Sequence, residues 1–249
     1  MGIILLFLVV ISTSFIVSRY INYMNDSKKH MIIIAHRGAS AYEPENTLRS
    51  FKRAIEMGAD MIELDVRLSR DRHLVIMHDN EVDRTTNGHG FVKEKTLSEL
   101  KKLDAGMGES VPTLEEVIAL LKGKAGFVIE LKDLGTEEGV ISLIKEKDLI
   151  EHVFIVSFNQ NLLKRIKDLE SKVKTGLILL SSSDPIRLAK ECQADAVAPF
   201  HEFITSDLIE KAHKNNLKII TWTVDNQGEA ESLRDAGIDG IVTNKPDIL

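Results

Sequence analysis

From residue 32 onward, short β-branched and aliphatic runs alternate with amphipathic stretches down to the C-terminus. The runs at 32–35, 61–68, 74–77, 127–131, 153–158, 174–180, 196–199, 217–224 and 240–243 are predicted strands. Those at 46–57, 113–122, 137–146, 159–170, 184–191, 206–215 and 227–236 are predicted helices. In the first of these, Leu48, Phe51, Ala54 and Ile55 fall on one face of a 3.6-residue period. Thr113 with Glu116 three residues on predicts a capping box, and Pro185 suits a first helical turn. Many strand runs are apolar throughout rather than alternating, as parallel strands covered on both faces are. Repeated βα units without a composition break predict a single α/β domain, either a (β/α)8 barrel or a doubly wound sheet.

Nine strand-like runs are one too many for a barrel. Only SRDRH separates 61–68 from 74–77, too short for the crossover that a parallel pair needs, so 74–77 is read as the return arm of a hairpin. A turn centred between Arg70 and Asp71 sets Glu63 opposite His78 and Asp65 opposite Ile76, with Glu63, Asp65 and His78 on one face. Residues 80–112, which include DRTTNGHG, fall outside the βα alternation and are expected to form a small cap. No internal repeat stands out.

Composition alters this picture at one end only. The chain is 43% hydrophobic with 15 glycines, ordinary for a globular protein, and its single cysteine, Cys192, excludes a disulfide scaffold. With 32 basic and 38 acidic side chains it carries a net charge of -6, which argues against nucleic acid as a partner. The first 18 residues, however, contain no charged side chain. Stretched from Gly2 to Tyr20 this segment reaches the roughly 17–20 residues of a membrane span, and it lacks the basic start and small-x-small close of a cleaved signal. A single N-terminal transmembrane helix is therefore expected, with residues 1–28 an anchor and linker and residues 29–249 the α/β domain. Arg19, Lys28 and Lys29 follow the segment and none precede it, a weak positive-inside signal for a cytoplasmic domain.

Candidate chemistry gathers at strand ends. His36 and Arg37 end the first strand, Glu63 and Asp65 lie on the second, His78 closes the hairpin, Glu130 and Lys132 end the fourth predicted strand run, and Trp222 sits late in IITWTV. Three carboxylates at one point repel unless a hard cation lies between them, and oxygen-only ligands favour Mg2+ or Ca2+. Two imidazoles can act as base and acid near neutral pH. Arg37 and Lys132 supply positive charge suited to phosphate. Together these groups specify phosphoryl transfer to water or an internal hydroxyl.

The segments HRGAS (36–40), PENT (44–47), IELDVRLSRD (62–71), HD (78–79), DRTTNG (83–88), PTLEE (112–116), IELK (129–132), SFN (157–159), WTVDN (222–226) and GIDGIVTNKP (237–246) carry a close resemblance to the glycerophosphodiester phosphodiesterase family. The resemblance implies a TIM barrel with a small cap, hydrolysing glycerophosphodiesters to an alcohol and sn-glycerol 3-phosphate. It implies His36 and His78 as the acid–base pair and Glu63, Asp65 and Glu130 as ligands of one divalent cation. Arg37 and Lys132 then match phosphate contacts, and Trp222 a wall of the glycerol pocket. The nucleophile is either the substrate's glycerol hydroxyl, through a cyclic phosphate, or water. Two positions depart from the family pattern: Asp225 stands where many relatives have Asn, and Asn244 where many have Asp. The alternative function is lysophospholipase D- or C-like cleavage of membrane lipid phosphodiesters. Head group and oligomeric state are open, and membrane contact is expected only through the N-terminal segment.

Overall fold

Among the described residues, nine strands form one sheet: β1 (Ile32–Ala35), β2 (Met61–Leu68), β3 (Leu74–Ile76), β4 (Gly126–Leu131), β5 (Val153–Ser157), β6 (Lys174–Leu179), β7 (Ala196–Pro199), β8 (Lys218–Thr221) and β9 (Gly240–Thr243), in the order β1-β9-β8-β7-β6-β5-β4-β2-β3. β1 also pairs in parallel with β2, Ile34 beside Met61 and Ala35 beside Ile62. This pairing closes eight parallel strands into a (β/α)8 barrel, excludes the doubly wound alternative and leaves β3 outside the ring. The computed structural model describes residues 31–249. The expected membrane anchor lies outside the described residues, among which no helix is long and apolar enough to cross a membrane.

The helices are α1 (Leu48–Glu56), α2 (Leu97–Leu100), α3 (Leu114–Leu121), α4 (Glu137–Glu146), α5 (Gln160–Leu169), α6 (Pro185–Glu191), α7 (Ser206–Lys214) and α8 (Gln227–Asp235). Thr113 and Glu116 form the anticipated capping box, and Pro185 opens α6. All eight residues of β2 are buried. The strand period of two explains how its polar residues are accommodated. Ile62, Leu64 and Val66 pack outward against Phe51 of α1 and Val117, Ile118 and Leu121 of α3. Met61 joins Ile34, Val128, Val156, Ile178 and Val242 inside the barrel, the side on which Glu63 and Asp65 also lie.

A recurrent device sets the strand register at the barrel's N-terminal face. Gly58, Gln193 and Gly237 each take a positive φ at the end of a helix. A buried apolar residue (Ala59, Ala194, Ile238) and an aspartate follow each. Asp60 Oδ2 accepts from Ile33 N, Asp195 Oδ2 from Thr175 N, and Asp239 Oδ2 from Ile219 N. In all three cases the aspartate's own N–H donates back to the carbonyl of the same partner. Each aspartate thus satisfies both backbone groups of a residue at the start of the neighbouring strand. The segments GAD, QAD and GID are an internal pattern that the hydrophobic periodicity did not reveal.

The hairpin forms, but its register differs from the expected one by a single residue. Val66 pairs with Ile76, Arg67 with Val75 and Leu68 with Leu74, so Asp65 lies opposite Met77 rather than Ile76. The cause is the turn. Ser69 pairs with His73 around a three-residue loop, with Arg72 N donating to Ser69 O and Arg72 at φ 67. A turn followed by a left-handed residue is the usual three-residue hairpin solution, whereas the expected register needed a two-residue loop. β3 ends at Ile76, so His78 reaches the barrel mouth on irregular chain and not by facing Glu63 across the ladder.

Within residues 80–112, the short α2 carries its own capping box (Thr96 and Glu99), and Val82, Val92, Leu100, Ala105 and Val111 pack with Val75 and Met77 in a small separate core. The aspartate device gives a direct test. Replacing Asp195 by Ala removes the acceptor of Thr175 N and the partner of Lys167 and Lys174. Urea unfolding of Asp195→Ala is expected to show a loss of about 1.5–3 kcal/mol, the range for deleting one side of a charge-assisted, part-buried hydrogen bond.

Candidate active site

The first turn after β1 is shaped by backbone more than by side chains. Arg37 has φ 55 and Gly38 φ 82. A Cβ at residue 38 would lie 2.5 Å from Ser50 Oγ and 2.6 Å from the Ser50 carbonyl carbon, so only glycine fits. The turn aims Arg37 N at Glu63 Oε2, 2.8 Å away, and Arg37 Nε at Asp65 Oδ2, 3.3 Å away. Asn46, also left-handed at φ 58, donates its Nδ2 to Asp65 Oδ2 at 2.7 Å.

Asp65 and Glu130 are register partners on β2 and β4, and Glu63 sits two residues before Asp65 on the same face. One oxygen from each of the three lies within 4.8 Å of the others, and all three residues are buried. Lys132 Nζ stands 2.6 Å from Glu130 Oε1 and 3.1 Å from Asp65 Oδ1. Burial pushes the Glu130 carboxyl up to about 7, with Asp65 adding to the rise and Lys132 opposing it. Glu63 is raised well above the usual carboxylate range by burial, then by Asp65 and Glu130. Burial also acts to raise Asp65, but Lys132 and Arg37 outweigh it and bring its pKa down to about 2.

Whether a divalent cation suits this cluster is decided by the donor atoms. All are carboxylate oxygens, as hard cations require. Asp65 Oδ1 is buried without a hydrogen-bond partner, since the nearby Lys132 ammonium makes a charge contact outside hydrogen-bond geometry. An orphaned buried carboxylate oxygen beside two carboxyls held partly protonated is the environment that a cation relieves. The residues fit.

Both histidines are held through Nδ1. His36 Nδ1 lies 2.8 Å from Asn244 Oδ1, and His78 Nδ1 lies 2.6 Å from Asp79 Oδ1. Among the described residues neither Nε2 makes a hydrogen bond. Burial and then the Arg37 charge push the His36 imidazole down to about 4, while Asn244 opposes the shift. His78 is lowered too, chiefly by burial, with Asp65 and Asp79 opposing. Arg84, from the 80–112 segment, bridges Asp79 and Glu45, and Glu45 in turn holds Arg37 at 2.9 Å. A continuous ionic chain therefore runs from His78 through Asp79, Arg84 and Glu45 to Arg37.

His36, Arg37, Glu63, His78, Glu130, Lys132 and Trp222 all line one cavity of ≈ 230 Å³ at the C-terminal ends of the strands. Asp65 does not line it and lies fully buried behind the cavity wall. Trp222 donates its Nε1 to Ala198 O at 2.9 Å and is braced edge-on by Phe158 and Phe200. The structure thus brings the eight sequence-selected residues together around one polar wall facing an aliphatic floor. It adds Glu45, Asn46, Asp79, Arg84, Asp225 and Asn244, which hold those residues from behind. Their inclusion in PENT, HD, DRTTNG, WTVDN and TNKP marked them, Asp225 and Asn244 also as departures from the family pattern, since a polar residue that bonds another polar residue leaves no periodic trace.

Residues 36–248 match the model of the glycerophosphoryl diester phosphodiesterase family. The chain is 45% identical over 232 residues to a glycerophosphodiester phosphodiesterase of Caldanaerobacter subterraneus subsp. tengcongensis, covering 88% of this chain and 96% of that one. A solved glycerophosphodiester phosphodiesterase from Agrobacterium tumefaciens superposes with a TM-score of 0.81 at 30% identity, covering 88% of this chain and 98% of that one. A phosphodiesterase from Oleispira antarctica, solved in complex with the product sn-glycerol-3-phosphate, gives a TM-score of 0.79 at 30% identity over 87% of this chain and 94% of that one.

The raised carboxyls predict how a cation binds. Glu130 keeps its proton below about pH 7, so binding there must expel it, and affinity is present above that pH and lost as pH falls. Isothermal titration of Mg2+ or Ca2+ is expected to show Kd weakening between pH 7 and 5 by about tenfold per unit for each proton displaced, from Glu130 and from the likewise raised Glu63. Buffers of different ionisation heat should reveal more proton release at pH 6 than at pH 8.

Proposed function

The chain belongs to the glycerophosphoryl diester phosphodiesterase family and is a phosphoric diester hydrolase. From that premise we propose that it cleaves glycerophosphodiesters to an alcohol and sn-glycerol 3-phosphate, with one divalent cation, Mg2+ or Ca2+, and with His36 and His78 as the acid–base pair. The observation that supports this most is the shared wall: two imidazoles whose Nδ1 atoms are both engaged face one cavity beside three carboxylates and two fixed cations.

Glu63, Asp65 and Glu130 would hold the cation, which would supply Lewis-acid charge to the phosphodiester when bound. Lys132 and Arg37, already tethered by Glu130, Asp65 and Glu45, add positive charge next to the phosphate position at little ordering cost. The bare Nε2 of one histidine takes the proton of the attacking group, water or the substrate's own glycerol hydroxyl. The other, entering as the imidazolium, gives a proton to the departing alkoxide; where the glycerol hydroxyl attacks, water then opens the cyclic phosphate with the two roles reversed. Trp222, fixed by Ala198, Phe158 and Phe200, offers a flat wall for the glycerol carbons.

Cleavage of lysophospholipids is the second reading, and it too has an observation in its favour. Ile34, Val128, Val156, Ile178 and Val242 line the cavity floor. Leu134, Phe158, Leu180 and Phe203, just beyond four successive strands, are exposed. Such a floor and rim suit an acyl chain. The charge-free first 18 residues complete the reading as a membrane anchor for a catalytic domain over 29–249, on the cytoplasmic side.

His36→Ala and His78→Ala are each expected to lower kcat by about 10²–10⁴-fold on glycerophosphocholine, and near-normal turnover in either would remove that residue from the scheme. Chelator should abolish activity, and Mg2+ or Ca2+ should restore it; indifference to chelator would overturn the cation. Faster turnover of lysophosphatidylcholine than of glycerophosphocholine would establish the second reading. For the anchor, the full-length chain should remain in the membrane pellet after alkaline carbonate washing.

A further inference from the structure

Behind His36 lies a second layer of polar groups that plays no part in the scheme above. Asn244 Oδ1 lies 2.8 Å from His36 Nδ1 and 2.7 Å from the hydroxyl of Ser40, which is equally near the His36 carbonyl. On its other side the Asn244 amide nitrogen donates to Asp225 Oδ2 at 2.5 Å. Asp225 Oδ1 accepts from the Asn244 backbone N–H at 2.8 Å and from the Thr243 hydroxyl at 3.0 Å. A carboxylate has no hydrogen to give, so the group facing Asp225 Oδ2 must be the Asn244 NH2. The amide cannot flip without setting its oxygen against a carboxylate oxygen. Its oxygen therefore always faces His36, and a neutral His36 must carry its proton on Nδ1 to satisfy it.

We propose that Asp225 is a positioning residue for the hydrolysis, acting through Asn244 to lock His36 in the Nδ1–H tautomer with Nε2 as the unprotonated nitrogen toward the cavity. This rests on the acid–base role of His36 given above. The residues at 225 and 244 act as one exchangeable unit, because one amide and one carboxylate are needed but their order is not. When Asp225→Asn is combined with Asn244→Asp, the amide oxygen at position 225 accepts from the residue 244 N–H and the Thr243 hydroxyl. The amide nitrogen at 225 then donates to the carboxylate at 244, whose second oxygen accepts from His36 and Ser40. Every partner is retained and His36 keeps the same tautomer. The two single replacements break the unit in different ways. Asp225→Asn sets two amides face to face, and the conflict is relieved by flipping Asn244, which puts an NH2 against His36 Nδ1 and drives the proton to Nε2. Asn244→Asp sets two carboxylates against each other.

The test is a double-mutant cycle of Asp225→Asn, Asn244→Asp and the exchanged pair in the full-length chain, read as kcat and KM on glycerophosphocholine beside Tm. Asp225→Asn is expected to lower kcat by about 10²-fold with KM changed less than about threefold. That is smaller than the ~10⁴-fold loss when the carboxylate bonded directly to a triad histidine becomes an amide, because one residue intervenes here. The exchanged pair should return kcat to within about tenfold of the parent. Recovery of Tm without recovery of kcat would mean that the pair only holds the loop together, and would overturn the proposal. So would an Asp225→Asn protein with kcat within twofold of the parent. A second measurement does not depend on any variant folding: ¹⁵N spectra of the histidine-labelled parent should show the His36 ring protonated at Nδ1, and an Nε2–H ring would refute the assignment. Loss of activity in His36→Ala together with a purely additive cycle would reject the role of Asp225 while leaving the hydrolytic reading intact.

Discussion

Three carboxylates held within 4.8 Å of one another inside a barrel are the constraint from which most of this architecture follows. At an effective dielectric of 20, a pair of like charges 4 Å apart costs about 4 kcal/mol, so the cluster exists only because its surroundings answer it. Lys132 and Arg37 do so directly. To deliver Arg37, the chain after β1 adopts two consecutive left-handed residues and gives up a side chain at Gly38. Asn46, in another left-handed conformation, supplies a hydrogen-bond donor to Asp65. Two of the three carboxyls remain displaced toward their protonated forms, and one buried oxygen remains without a hydrogen bond. The protein bears this cost at the place where a cation and an anionic substrate would both be neutralised.

The two histidines are embedded in unlike surroundings. Asp79 gives His78 a carboxylate partner, while Asn244 gives His36 a neutral amide oxygen. Through Arg84 and Glu45, the support of His78 is also the support of Arg37, so the 80–112 segment is wired into the charge balance of the site besides packing on its own small core. A closed barrel suits such wiring. Its strand ends all open onto one face, and residues as far apart in sequence as His36 and Asn244 become hydrogen-bonded neighbours because β1 and β9 pair.

Most element positions were legible along the chain because helix and strand place apolar residues at different periods, and burial on both sheet faces made the strands apolar runs. The hairpin was legible for a negative reason, since five residues cannot cross over a sheet. Its register was not. Whether a turn holds two or three residues depends on Arg72 adopting a left-handed conformation, and an arginine does not announce that in the way an Asn-Gly pair does. The repeated aspartates before β2, β7 and β9 are illegible for a related reason. Their recurrence lies in a single polar atom pair at a strand start, and composition and periodicity average over it.

The site divides along the same line. His36, Glu63, Asp65, His78, Glu130, Arg37, Lys132 and Trp222 stood out in the sequence because charged or polar groups at the ends of buried strands have no packing use, and local pattern suffices to find them. What tertiary structure alone decided was how they are held: which nitrogen of each ring is engaged, that Asp65 lies behind the cavity wall, and that Asp225 and Asn244 answer each other. Those facts concern donors and acceptors from distant segments meeting within about 3 Å, and such a match depends on strand pairing and loop geometry summed around a whole barrel. Sequence determines which chemical groups are available and roughly where each strand ends. Only the closed fold determines which lone pair faces which proton.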